Sequence, residues 1–263
     1  MAWRRRHWFE HNDSAFAPVA LRETVIETLG RTLAWGRVLR SLAPPFARFL
    51  ERAGTSQVLD LCAGTGRPAA ILGTELERAG HAPPQFLLTD LQPHPETWTA
   101  LRDQHPTWID FVPDPVDATH IPDAIGHGRA RVIVNSFHHF EPALAASILR
   151  GACANAPGVF IAEGFERSPL GFLPFALLGM PALLVNPILA PRRKLEKALL
   201  TWASPIALAV SAWDGVVSTL RVYTEAELRA MVAPLGDAFE WEYGTYEFFP
   251  GGRGYYFSGL PRR

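Results

Sequence analysis

Apolar residues recur at Leu21, Val25, Leu29 and Leu33 and again at Val38, Leu42, Phe46 and Phe49, a spacing near the helical repeat that Pro44-Pro45 interrupts. Residues 1–55 therefore read as a helical N-terminal arm. Beyond Gly54 the pattern changes to short apolar runs at 57–61, 85–89, 108–112, 131–137 and 158–163, each bounded by turn residues and separated by helical or loop stretches. Strands alternating with helices imply right-handed βαβ units and a parallel sheet. Two further runs, 239–249 and 254–260, have no helix between them, only a turn containing Pro250-Gly251-Gly252, and predict a closing antiparallel hairpin. Thr224 with Glu227 three residues on forms a capping box that starts one more helix. The expected class is α/β, with a seven-stranded sheet carried by residues 56–263.

The stretch 169–191 breaks this rhythm: it holds no charged residue, yet Pro174, Pro181 and Pro187 interrupt it. Helical signals return from 192 to 213, and Trp213-Asp214-Gly215 reads as a turn that ends an insertion over 168–215, after the fifth strand. So much uncharged apolar area must be covered. A lid over a hydrophobic small molecule, a membrane-surface element through 169–194 and the core of a homodimer interface are the three competing readings. Arg192-Arg193-Lys194 suits anionic headgroups, and the internal prolines weigh against a simple transmembrane helix. Trp3, Trp8 and Phe9 in the N-terminal arm either fold over a site or fray into solvent.

Composition narrows the classes. A chain of 263 residues with 48% hydrophobic and 19% charged residues can bury a sizeable core, which excludes disorder and collagen-like repetition. Lys+Arg 25 against Asp+Glu 26 leaves a formal charge of −1, without the basic field that draws a protein to nucleic acid. Cys62 and Cys153 are too few for a disulfide framework and lie in no metal-ligand spacing, so no metal is expected and a reducing compartment fits. The arginines at 4–6 are followed by Glu10, His11, Asn12 and Asp13 rather than an apolar run, so no signal peptide is read there and a cytoplasmic location is expected.

The most informative stretch is 58–69, Val-Leu-Asp-Leu-Cys-Ala-Gly-Thr-Gly-Arg-Pro-Ala, a strand that enters a small-residue turn and then a helix started by Pro68. Gly64-x-Gly66-x-x-Ala69 alone also satisfies the dinucleotide-binding pattern. Asp60 shifts the balance, because a carboxylate at the end of the first strand repels a pyrophosphate and suits a cation such as an amino-acid ammonium. These residues resemble the class I S-adenosylmethionine-dependent methyltransferases, whose first motif runs hydrophobic, hydrophobic, Asp, hydrophobic, small, small, Gly, x, Gly. Cys62 departs from the glycine more common there. The resemblance implies a Rossmann-like sheet and S-adenosyl-L-methionine as cofactor, with Asp60, Ala63, Gly64 and Gly66 around the amino-acid end. It further implies that Asp90 accepts the ribose hydroxyls, that Leu91 sandwiches the adenine, that Asp117 beside Ala118 holds the adenine amino group, and that Asn135 closes the fourth motif.

Methyl transfer from a sulfonium is an in-line displacement accelerated chiefly by alignment, with a base helping where the acceptor is a hydroxyl, thiol or amine. His138 and His139, just beyond the fourth strand, are placed as candidate bases, and either might instead only bond the loop backbone. Glu163, ending the fifth strand, and Trp213 are candidate acceptor contacts. The expected function is methyl transfer to a small hydrophobic or lipid-like acceptor. The alternatives are a binding or non-methylating protein on the same fold and an NAD-linked oxidoreductase.

Overall fold

The structure, a computed structural model, describes residues 3–14, 16–168 and 170–262; Pro169, at the start of the apolar stretch, lies outside them. The helices in chain order are α1 (Val19–Trp35), α2 (Ala43–Ala53), α3 (Arg67–Arg78), α4 (Pro95–Gln104), α5 (Asp123–Gly126), α6 (Pro142–Cys153), α7 (Leu173–Leu189), α8 (Lys194–Ala198), α9 (Ile206–Arg221) and α10 (Glu225–Val232). The strands are β1 (Gln57–Asp60), β2 (Gln85–Leu88), β3 (Ile109–Phe111), β4 (Ala130–Val134), β5 (Val159–Glu163), β6 (Phe239–Phe248) and β7 (Gly252–Pro261). They form one seven-stranded sheet in the order β3-β2-β1-β4-β5-β7-β6. β1 to β5 pair in parallel, and β7 runs antiparallel to β5. The short link between β6 and β7 has no room for a crossover, so the closing pair is the expected hairpin.

The chain divides into two compact units. The sheet unit holds Leu39–Gly164, Tyr223–Tyr246 and the chain from Gly254 on; the helical unit holds the chain up to Val38, Phe165–Val222 and Glu247–Arg253. Pro44 and Pro45 open α2 rather than break a longer helix, since the first turn needs no donor from them. α2 then lays Phe46 and Phe49 against Phe160 of β5, with ring centroids 5.0 and 5.1 Å apart. Burial of each ring stabilises the unit by about 1.5–3 kcal/mol, which ties α2 to the sheet. Thr224 caps α10 through both bonds of the predicted box.

In the helical unit the apolar stretch is a continuous helix, α7, with Pro181 and Pro187 inside it. The expected interruption does not occur, because each proline forfeits one hydrogen bond while the buried face, including Ala182 and Leu183, retains its packing. Leu183 joins Leu21 and Ala207 in the unit's apolar core. Trp213-Asp214-Gly215, expected to turn, lies inside α9. Asp214 is there for another reason: its buried carboxylate accepts from the backbone N–H of His11 (2.8 Å) and of Asn12 (3.0 Å). Arg221, on the same helix, pairs with Glu10 at 3.0 Å and Asp13 at 2.8 Å. Trp8 stacks on Trp213 with centroids 6.0 Å apart, so this part of the N-terminal segment is held on α9 rather than frayed.

Candidate active site

β1 ends at Asp60, paired in register with Leu88 of β2 and Val132 of β4, so the corner that follows lies at the carboxyl edge of the central strands. This is where open α/β sheets bind ligands. Gly66 caps α3 in the left-handed region (φ +74°), and a Cβ there would come within 2.7 Å of Leu88. Gly64 is also left-handed (φ +52°), but no heavy atom lies within 4 Å of where its Cβ would be. The first glycine is thus required by packing as well as backbone, the second by backbone beside open space.

Asp60 is buried, and burial followed by the negative charge of Asp90 raises its carboxyl well above the usual carboxylate range. Cys62 occupies the left-handed region at φ +60°, where only glycine sits without strain. Its thiol is pushed up by burial and then by Asp90, Asp60 and Asp117, which keeps it protonated and unreactive. All three predicted acids therefore converge around one turn. Asp90 accepts from Gly64 N–H through Oδ2 (2.8 Å) and from Gln92 N–H through Oδ1 (2.9 Å). A carboxylate has about four acceptor positions, so ligand hydroxyls still fit there.

The loop after β3 is tied to the end of β2 by Val116 N–H donating to Asp90 O at 2.9 Å. Asp117 is exposed, and its Oδ1 accepts from both Thr119 N–H (2.8 Å) and Thr119 Oγ1 (2.7 Å), which lowers its pKa. Leu91 is 62% exposed beside Asp90, while Ala63 and Ala118 are buried. Trp98, on α4, was not singled out by any motif; its indole N–H donates to Gly64 O at 2.9 Å and braces the glycine turn. An apolar residue on a helix face gave no hint of that bond.

At the end of β4, Asn135 takes a left-handed conformation (φ +56°), and its Oδ1 accepts from Gly164 N–H at 2.7 Å. The next residue, Ser136, has a buried Oγ without a hydrogen-bond partner. Glu163 was expected to meet an acceptor, and here the structure differs: it is fully buried, with one oxygen accepting from His138 N–H (2.9 Å) and the other paired with His138 Nδ1 (2.8 Å). A strand-end acid one βα unit along finds this partner because β4 and β5 are neighbours. A carboxylate only accepts, so in this pair Nδ1 carries the proton. His139, half-buried, lies beside it with ring centroids 4.2 Å apart. Tyr246 OH donates to Glu163 O at 3.1 Å and fixes the same strand end. Trp213, the other expected acceptor contact, is engaged within the helical unit, its indole N–H donating to Phe9 O at 2.9 Å.

These residues fit the sulfonium cofactor on three observations: a carboxyl whose ionisation is opposed by burial and a neighbouring acid, open space beyond Gly64, and an orphaned hydroxyl at Ser136. A bound cation relieves the first, and a dinucleotide's pyrophosphate worsens it.

The sheet order and the glycine corner define a doubly wound α/β protein with its ligand edge at β1, β4 and β5. No protein-family model matches the chain, and no curated protein sequence is similar to it. Among solved structures it resembles the plantazolicin methyltransferase BpumL in complex with S-adenosylhomocysteine, at TM-score 0.58 and 11% identity over 96% of this chain and 94% of that one. It also resembles a Nostoc punctiforme protein assigned as an O-methyltransferase, at TM-score 0.51 and 14% identity over 98% of this chain. The chain spans only 64% of the length of that protein. The methyltransferase domain of a bacterial Hen1 is similar at TM-score 0.50 and 8% identity, over 85% of this chain and 99% of that domain. The protein has the class I S-adenosylmethionine-dependent methyltransferase fold.

Proposed function

We propose that the protein is a methyltransferase that uses S-adenosyl-L-methionine to methylate a hydroxyl, thiol or amine on a small hydrophobic acceptor, with His138 as the base. The observation that carries this reading is the pairing of His138 with buried Glu163 at the ligand edge, beside the acid-lined glycine corner. When bound, the cofactor supplies a methyl group on a sulfonium whose charge disappears on transfer. Asp60 and the turn at Ala63–Gly66 bind its ammonium end, Asp90 its ribose, and Leu91 with Asp117 and Ala118 its adenine. Glu163 orients the imidazole through Nδ1, and the ring takes the acceptor's proton.

A thermal-shift comparison separates this function from its rivals. S-adenosylhomocysteine at one hundred times its dissociation constant stabilises the fold by about 2.7 kcal/mol, a rise of several degrees, and NAD produces none. A shift with NAD alone overturns the cofactor assignment, and a shift with S-adenosylhomocysteine but no labelled methyl transferred to a panel of apolar alcohols and amines overturns the activity.

Asp60→Asn supplies a second check. Because the folded-state pKa of Asp60 is raised, the folded protein binds the proton more tightly than the unfolded one. Stability without ligand therefore falls as pH rises above the ordinary carboxylate range and through the raised value. The Asn variant lacks this slope and melts higher at neutral pH, while its affinity for S-adenosylhomocysteine drops. A variant that is no more stable at neutral pH contradicts the assigned charge burden.

A further inference from the structure

Besides its apolar core, the helical unit exposes long apolar stripes. On α7, Leu173, Leu177, Met180, Leu184 and Ile188 recur at helical spacing on one face and are 39–60% exposed. A second stripe, Leu195, Leu199, Trp202 and Ile206, is 46–75% exposed and begins on α8. Trp202 joins the two stripes, its indole N–H donating to Leu184 O at 2.9 Å. Lys197, on the same helix as Leu195, has no exposed surface and pairs with Glu23 at 2.9 Å and Glu27 at 2.8 Å. Uncharged stripes outside and ion pairs inside suit a surface that faces hydrocarbon rather than water.

Among the described residues no single helix is long and apolar enough to cross a membrane; Lys194–Ala203 with Ile206–Arg221 passes only as a pair bent by 81°. α7 has 17 residues and packs its other face, through Leu183, against Leu21 and Ala207, so lipid cannot surround it. It can lie in the plane of an interface. Between α7 and the first residue of α8 stand Arg192, Arg193 and Lys194, all exposed; Arg193 pairs with Glu196 at 3.2 Å and lies 3.9 Å from Glu23. Arg192 and Lys194 flank this pair, and acidic headgroups complement the three cations.

We infer that the helical unit docks on an anionic bilayer surface, with the α7 stripe and the Leu195–Ile206 stripe in the acyl boundary and Arg192, Arg193 and Lys194 on the headgroups. This stands apart from the proposed methyl transfer and survives if that reading fails. The full chain is spun with vesicles of phosphatidylcholine and with vesicles that also contain phosphatidylglycerol. It is expected to sediment with the second, and added salt weakens the association. Leu177→Glu and Leu199→Glu, both at exposed sites, leave the melting temperature unchanged and return the protein to the supernatant. Arg192→Ala and Lys194→Ala each weaken binding about fivefold, the equivalent of about 1 kcal/mol per cation near an acidic surface. Failure of the wild type to sediment, equal sedimentation with both vesicle types, or full binding by Leu177→Glu overturns the inference. A dimer that Leu177→Glu dissociates, in a protein that ignores vesicles, overturns it in favour of a second copy.

Discussion

Gly64→Arg is expected to abolish binding of S-adenosylhomocysteine in titration calorimetry while the protein remains folded. The residue lies at φ +52° with open space where a Cβ would go, so the backbone strain of a non-glycine residue, about 1–2 kcal/mol, is the whole cost to the fold. For a chain of this size that lowers the melting temperature by only a few degrees. The arginine side chain enters the corner itself, and its cation takes the place that the ligand's ammonium would hold beside Asp60. Position and charge both compete with the cofactor. Unchanged affinity in a folded variant would remove the glycine turn from the binding site and the assignment with it. The neighbouring Gly66 is a poorer probe, because a side chain there collides with Leu88 and unfolding would be confused with lost binding.

The second large effect concerns the pair at the ends of β4 and β5. His138→Ala is expected to lower kcat by about 10²–10⁴-fold, the usual contribution of a positioned base, with affinity for S-adenosylhomocysteine retained. Glu163→Gln tests the positioning role. An amide in place of the carboxylate can accept from only one of the two His138 donors and turns its own N–H₂ toward the other. Where the amide nitrogen meets Nδ1, the proton moves to Nε2 and the imidazole becomes the wrong tautomer for a base. The variant is expected to keep KM for the cofactor, lose kcat and change the pH profile of kcat. If Glu163→Gln alters stability alone, with kcat and its pH profile intact, the pair is structural.

Much of this fold follows from local patterns. Each parallel strand coincides to within a residue or so with the start of a short apolar run, Pro68 and Pro142 stand at helix starts, and Thr224 with Glu227 makes its box. In each case the residues that matter are close in sequence. The misreadings share the opposite property. Pro181 and Pro187 predict a break in isolation, and the packing that keeps α7 continuous comes from Leu21 and Ala207, far away in the chain. Gly215 makes Trp213-Asp214-Gly215 look like a turn, whereas Asp214 answers to the backbone of His11 and Asn12. At the site, Asp60, Gly64, Gly66 and Asp90 stand out because motif residues and strand ends coincide. The engagement of Glu163 with His138 does not, since nothing in either local segment names the other.

The order of the strands has a consequence for biosynthesis. β7 comes last along the chain, yet in the sheet it stands between β5 and β6, and the helical unit also draws on Glu247–Arg253. Neither unit can complete its packing until residues 247–261 have been synthesised. The uncharged α7 finds Leu21 already made and Ala207 soon after, but its outer stripe from Leu173 to Ile188 stays uncovered throughout. The nascent protein is then most exposed to aggregation, and a chaperone or a lipid surface has the longest time to capture it.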